Sequence, residues 1–173
     1  MSGSLLVKKA RDFAVKAHAG LLYGGKDYVT EHLDRVAALV RQVAKDDEEA
    51  EVVAYLHDTV EDNKAITLEI IEANFGYRVS KLVGYLTDEP GKNRRERKKA
   101  TNEKLSKVPE EFYTALVVKP ADRTANFIAC HTGANQKLLE MYKREHPEFV
   151  RAVFRKGLCD YLWSRMAEIV GEF

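Results

Sequence analysis

The sequence predicts an all-α protein, and three observations carry that expectation. Apolar residues recur at three- and four-residue spacing along almost the whole chain, helix-boundary residues stand between those stripes, and no run alternates as a strand would. The first stripe is Leu5, Leu6, Ala10, Phe13, Ala14 and Ala17, ending near His18-Ala19-Gly20, with a Gly-containing loop over 21–30. Leu33, Val36, Ala37, Val40 and Val43 form the second stripe, and Val52, Val53, Leu56 and Val60 the third. The acidic cluster at 46–51 precedes the third, where negative charge suits the positive end of a helix. Thr67 is the expected N-cap of a short helix carrying Leu68, Ile70, Ile71 and Phe75, with Gly76 as its left-handed closing residue. Val79, Leu82, Val83 and Leu86 mark the next stripe, and the strongly charged stretch 88–107 is broken at Pro90-Gly91. Helices are expected over 112–130, 136–144 and 149–170, with Pro147 marking the start of the last.

Composition narrows the classes of function. The chain has 173 residues, 45% of them hydrophobic and 32% charged, which suits one globular domain over 1–173 with a full core. Low-complexity runs, Pro- or Gly/Ser-rich linkers and repeats are absent. A formal charge of +1 proposes neither a nucleic-acid nor a membrane partner. The first residues lack the apolar run of a signal peptide, and no window approaches the ~18 apolar residues that span a bilayer. Cys130 and Cys159 stand far apart, outside any Cys-x-x-Cys spacing, so reduced thiols in a cytoplasmic protein are expected. Cys130-His131 is not read as a nucleophile and its base, because helical neighbours point about 100° apart and no orienting carboxylate is evident.

The strongest chemical signal is Leu56-His57-Asp58-Thr59-Val60-Glu61-Asp62, an ionisable cluster set directly against an apolar stripe. Charge in such a place needs a partner. On a continuous helix His57 and Glu61, and Asp58 and Asp62, are i,i+4 pairs, which gives two polar ladders side by side. His57 and Asp58 can turn an imidazole nitrogen and a carboxylate oxygen toward one ion, while Glu61 and Asp62 reach a water or substrate beside it. A lone His-Asp pair would be a core histidine beside a solvated acid. Here His32 opens the second helix and Asp122, in Val118-Lys119-Pro120-Ala121-Asp122-Arg123-Thr124-Ala125-Asn126, also lies against an apolar helix. Two imidazoles and two carboxylates make a mixed nitrogen and oxygen set, suited to a six-coordinate Mn²⁺ or Fe²⁺ completed by water.

These blocks, together with Ala17-His18, Tyr28-Val29, Phe75-Gly76, Leu86-Thr87-Asp88 and Glu96-Arg97-Lys98, resemble the HD-domain phosphohydrolases over roughly residues 5–145. Within that family the sequence is most similar to the small alarmone hydrolases and the hydrolase domain of the RelA/SpoT enzymes. The resemblance implies an HD-type helical bundle that removes the 3′-pyrophosphate of (p)ppGpp with one Mn²⁺ per chain, Fe²⁺ or another divalent metal remaining open. It implies His32, His57, Asp58 and Asp122 as metal ligands, and Glu61 and Asp62 as the groups that position and deprotonate the attacking water. Asn126 would approach the sugar and Lys98 the phosphates; Lys26, all that remains of a basic cluster that holds the nucleotide, and Tyr142 would be further substrate contacts. The implied partner is a small-molecule nucleotide, with no nucleic acid and no membrane; a homo-oligomer is left open.

The sequence departs from the family in its first loop. Where the family has a Gln followed by basic residues, this chain reads Leu21-Leu22-Tyr23-Gly24-Gly25-Lys26-Asp27, with Lys26 alone basic. Asp27 and Leu33 stand where the family usually has prolines, and Pro120 where it has leucine, so a bend is expected just before Asp122. Two alternatives stay open: the same machinery on another ribose-phosphorylated nucleotide, such as the 2′-phosphate of NADPH, and a non-catalytic nucleotide-binding module. Gly20 to Lys26 matches a phosphate-binding loop by chance only, since no strand precedes it and Asp27 follows. The basic stretch at 92–99 is read either as a solvated face or as a grip on phosphates. His131 and His146 are expected to be exposed, and Tyr161, Leu162 and Trp163 to pack a core or a subunit contact.

Overall fold

The computed structural model describes residues 4–133 and 135–171. Helix α1 (Leu5–Ala17) starts where the Ser4 hydroxyl accepts from the Val7 amide at 3.2 Å, and it buries Val7, Ala10, Ala14 and Ala17 while Leu5 faces solvent. The segment after it, expected as a loop without strands, contains a small hairpin: β1 (Leu22–Tyr23) pairs antiparallel with β2 (Lys26–Asp27). Gly24 and Gly25, at φ 58° and 85°, form the two-residue turn. Both positions demand positive φ, which glycine adopts without a Cβ clash.

A π-helical turn, Val29–Leu33, then runs directly into α2 (Asp34–Val43). Helix α3 (Glu48–Leu56) is capped by Asp47, whose carboxylate accepts from the Ala50 amide at 3.0 Å. It does not continue through the His-Asp pair; a separate turn, α4 (Thr59–Asp62), follows. Thr67 caps α5 (Leu68–Phe75) as expected, with its hydroxyl 3.5 Å from the Ile70 amide. Gly76 has positive φ, but its ψ of 163° places it in the extended mirror region rather than the left-handed helical one, so the chain enters α6 (Tyr77–Leu86) at once. Asn93 caps α7 (Arg94–Ser106) by accepting from the Glu96 amide at 3.0 Å.

After a 3-10 turn (Glu110–Phe112), α8 (Ala115–Thr132) runs through the middle of the molecule and packs on α2, α3, α6, α9 and α10. Its apolar residues feed two cores: Val118, Ala121 and Ala125 on the side of α1–α3 and α6, and Leu116, Phe127 and Cys130 on the side of α7, α9 and α10. The charged residues of so buried a helix must find partners inside the protein.

Pro147 lies inside α9 (Gln136–Val153) rather than at the start of a helix. The buried stripe Leu139, His146, Phe149, Ala152 and Val153 holds the helix together across it. The break falls later, and α10 (Asp160–Val170) begins after Cys159, which has φ 51°. His146 is buried, not exposed, with the Phe127 and Phe149 rings 5.6 and 6.4 Å away, whereas His131 is exposed. Leu162 is buried in the core and Tyr161 is exposed. Among the described residues no helix is long and apolar enough to cross a membrane.

Candidate metal centre and cleft

The end of α3 sets up the centre. His57 donates from Nδ1–H to the Ala54 carbonyl at 2.8 Å, and the Thr59 hydroxyl donates to the Leu56 carbonyl at 2.7 Å. These bonds stop the helix and leave His57 Nε2 facing inward. The expected pair of continuous i,i+4 ladders is therefore interrupted: His57 and Asp58 sit at the break, and Glu61 and Asp62 are carried on the next turn. His32 comes from the π-helical turn, whose buried side also holds Val29 and Leu33. Asp122 comes from α8, two residues after Pro120.

The four side chains converge. His57 Nε2 lies 3.0 Å from Asp58 Oδ2 and 3.8 Å from Asp122 Oδ1, and His32 Nε2 lies 3.4 Å from each of those oxygens. Donor atoms of His32, His57 and Asp58 all lie within 4.8 Å of one another. Bonds of about 2.1 Å to a divalent ion put neighbouring donors roughly 3.0–3.4 Å apart, so the spacing fits. The chemistry fits as well. His57 Nε2 is buried without a hydrogen-bond partner, and with Nδ1 already donating to Ala54 it faces the oxygens of two carboxylates. A divalent cation between them would satisfy all of these groups at once.

The electrostatics say the same. Burial opposes charge on His57, yet Asp58 and Asp122 outweigh it and hold its pKa well above the ordinary imidazole value. Burial would likewise raise both carboxylates, but His57 acts on Asp58, and Lys119 with the two imidazoles on Asp122, to hold them well below the usual range. The centre is built to keep acids ionised around positive charge.

A cleft of about 230 Å³ opens beside it. Glu61 accepts from the Asp88 amide at 2.5 Å, and burial raises its pKa, with Lys119 opposing. Asp62 lies 3.5 Å from Nε2 of buried His18, whose ring stacks on Tyr28 at 4.8 Å. Lys98 reaches the carboxylate of the same Asp88 at 2.7 Å. Arg94 makes a two-point bond to Glu145 at 2.7 and 3.1 Å, and Arg123 stands 4.8 Å over the Tyr142 ring.

The structure thus brings His32, Asp58, Glu61, Asp62, Lys98, Asp122, Asn126 and Tyr142 to one cleft, with His57 buried behind Asp58 and Asp122. Lys26 is not among its lining residues; it is exposed and faces Glu31 at 3.6 Å. Of the basic stretch at 92–99, Arg94 and Lys98 face the cleft. Nothing in the sequence assigns a role to Tyr28, Lys119 or Arg123, Arg94 enters only as part of the basic stretch at 92–99, and Tyr23 reads as a loop residue. Yet Tyr28 donates to Asp58 Oδ2 at 2.6 Å, buried Lys119 stands 3.5 Å from Asp122 Oδ2, and Tyr23 lines the cleft. For Lys119 and Arg123 a signal was present: charges at positions of α8 that the apolar stripe leaves buried.

A helical bundle that delivers a His-Asp pair, a second His and a distant Asp to one point has the architecture of an HD domain. The HD domain family model matches residues 10–146, and the chain belongs to that family. Among its relatives is the human guanosine-3′,5′-bis(diphosphate) 3′-pyrophosphohydrolase MESH1, 31% identical over 121 residues, which are 68% of this chain and 65% of that protein. A GTP pyrophosphokinase of Myxococcus xanthus is 34% identical over 128 residues, 70% of this chain, and one of Brucella suis is 29% identical over 158 residues, 90% of this chain. The chain spans 16% and 21% of the lengths of those two enzymes. The fold matches the structure of a metazoan SpoT ortholog, described as hydrolysing ppGpp, with a TM-score of 0.84 at 23% identity, covering 99% of this chain and 97% of that one.

Proposed function

We propose that the protein is a Mn²⁺-dependent phosphohydrolase that removes the 3′-pyrophosphate of (p)ppGpp, yielding GDP or GTP and pyrophosphate. The observation that carries this reading is the cluster of four donor atoms, with imidazole-to-carboxylate distances of 3.0–3.8 Å, beside a cleft lined by Glu61, Asp62 and Lys98. The pyrophosphohydrolase activity of the human relative and the ppGpp hydrolysis of the metazoan ortholog support the same substrate.

His32, His57, Asp58 and Asp122 would hold one ion, Mn²⁺ in preference to Fe²⁺. When bound, it supplies Lewis-acid activation of water and of a phosphoryl oxygen. Glu61 accepts the proton of the attacking water, and Asp62, held by His18, orients that water. The water oxygen bonds to the phosphorus attached to the sugar 3′ oxygen, the bond between them breaks, pyrophosphate departs and the 3′ oxygen takes up a proton. Lys98, fixed by Asp88, faces the phosphates, and Arg94 and Arg123 add positive charge; phosphoryl transfer asks the protein for this kind of positioning. Asn126 keeps one lone pair of Oδ1 for a sugar hydroxyl, since its NH₂ is spent on Asp122. Tyr142 flanks the sugar and base. The two free cysteines agree with a cytoplasmic setting.

One observation favours a second substrate. The hairpin turns Lys26 away from the cleft and puts Tyr23 into it, an aromatic ring where the family places basic residues. The same machinery would then release orthophosphate from a ribose phosphate such as the 2′-phosphate of NADPH. Incubation with Mn²⁺ and ppGpp, pppGpp or NADPH, with products separated by chromatography, tests both. Pyrophosphate and GDP from ppGpp are expected; orthophosphate from NADPH with ppGpp intact would replace the first reading by the second.

A further inference from the structure

The altered hairpin carries a hydrogen-bond chain that ends at the centre. The Tyr23 ring lies nearly parallel to His32, with centroids 5.0 Å apart and planes 18° apart, and its hydroxyl donates to Asn126 Oδ1 at 2.7 Å across 103 residues of sequence. Asn126 in turn donates from Nδ2 to Asp122 Oδ1 at 2.6 Å and to the Asp122 carbonyl at 3.0 Å. Asp122 Oδ1 is the oxygen that faces both imidazoles.

Hydrogen-bond inventory makes the order of this chain obligatory. An ionised carboxylate only accepts, so Asn126 must present its NH₂ to Asp122 and its carbonyl oxygen to Tyr23. A phenol meets that oxygen with a donor. The flipped amide would set oxygen against oxygen at Asp122 and NH₂ against a phenol already oriented to donate. Burial raises the Tyr23 pKa, so the hydroxyl keeps its proton.

We infer that Tyr23 is a positioning residue: acting through Asn126, it fixes the orientation of Asp122 Oδ1 toward a divalent cation. This rests on the reading of Asp122 as a metal ligand. Removing a hydrogen-bond partner that orients a ligand typically weakens metal binding by about 10- to 100-fold.

The test is titration of Mn²⁺ into metal-free protein, with free Mn²⁺ counted by electron paramagnetic resonance, for wild type, Tyr23→Phe, Asn126→Ala, the double variant and Asp122→Ala. Tyr23→Phe keeps the ring on His32 and deletes only the hydroxyl. It is expected to bind Mn²⁺ about 10-fold more weakly, with the metal-free melting temperature unchanged and no further loss in the Asn126→Ala background. Wild-type affinity in Tyr23→Phe, or the same additional loss in the Asn126→Ala background, would overturn the inference. If Asp122→Ala abolishes binding while Tyr23→Phe does not weaken it, this inference alone falls. If Asp122→Ala binds as wild type does, the ligand reading falls and takes the inference with it.

Discussion

The Tyr28 hydroxyl donates to Asp58 Oδ2 at 2.6 Å, and that same oxygen lies 3.0 Å from His57 Nε2 and 3.4 Å from His32 Nε2. Tyr28 therefore fixes which carboxylate oxygen faces the imidazoles. Burial, followed by the charge of Asp58, raises the pKa of its phenol, which stays a donor. Tyr28→Phe keeps the ring against His18 and removes the bond. The expected result is a 10- to 100-fold loss of Mn²⁺ affinity with the fold intact, measured by titration and circular dichroism. Unchanged affinity would mean that the imidazoles alone orient Asp58.

Glu61 stands three residues beyond Asp58 and is held by the Asp88 amide. Glu61→Gln preserves an acceptor for that amide and removes the base. A fall in kcat of about 10²- to 10⁴-fold with unchanged Mn²⁺ affinity is expected. Because burial raises the Glu61 pKa, and only the ionised form accepts a proton, the rate rises with pH through a value above that of an ordinary glutamate. A pH–rate profile whose acid limb persists in the Gln variant would assign the limb to another group.

Loss of the ion exposes the conflict built into the centre. Two half-buried carboxylates face buried imidazole nitrogens, and without a cation those groups must share protons. Mn²⁺ at about one hundred times its Kd adds roughly 2.7 kcal/mol to the folded state. For a chain of this size that corresponds to a rise in Tm of about 5–10 °C over the chelator-treated protein, read by calorimetry. The rise should be absent in Asp58→Ala.

Pro120 poses a separate problem, because it has no N–H for the Leu116 carbonyl one turn earlier. Cys159 answers it: Sγ lies 3.7 Å from that carbonyl, and burial pushes the thiol up to about 12, so it keeps the proton it donates. Helix α8 continues through the proline and Asp122 still reaches the centre. Cys159→Ala is expected to cost about 1 kcal/mol in urea unfolding, and less once Pro120→Ala restores the N–H. Strict additivity of the two substitutions would show that the thiol does not serve this carbonyl.

The helical order of the chain is legible in its apolar stripes, and the His57-Asp58 cluster in the charge set against one of them, since a buried charge implies a partner; the resemblance to the HD family completes the set with His32 and Asp122. What the sequence hides is local geometry. Two-residue strands have no alternation to detect, so the hairpin shows only as Gly24-Gly25. The π-helical turn at His32 and the break after Leu56 leave the apolar period almost unchanged, although they decide which way the donors point. Pro147 stays inside α9 and His146 is buried because the packing of Phe127 and Phe149 overrides local propensity. Tyr23 and Tyr28 acquire their places through partners 103 and 30 residues away, which no spacing rule reaches.

In the proposed reaction water attacks the phosphorus of a 3′-pyrophosphate in the cleft beside His57 and Asp58. Turnover of ppGpp in oxygen-18 water with Mn²⁺, followed by mass spectrometry of both products, tests it most directly. The label is expected in pyrophosphate, with unlabelled GDP and no reaction in Asp58→Ala. Label in the nucleoside product, or turnover that survives in Asp58→Ala, would contradict it.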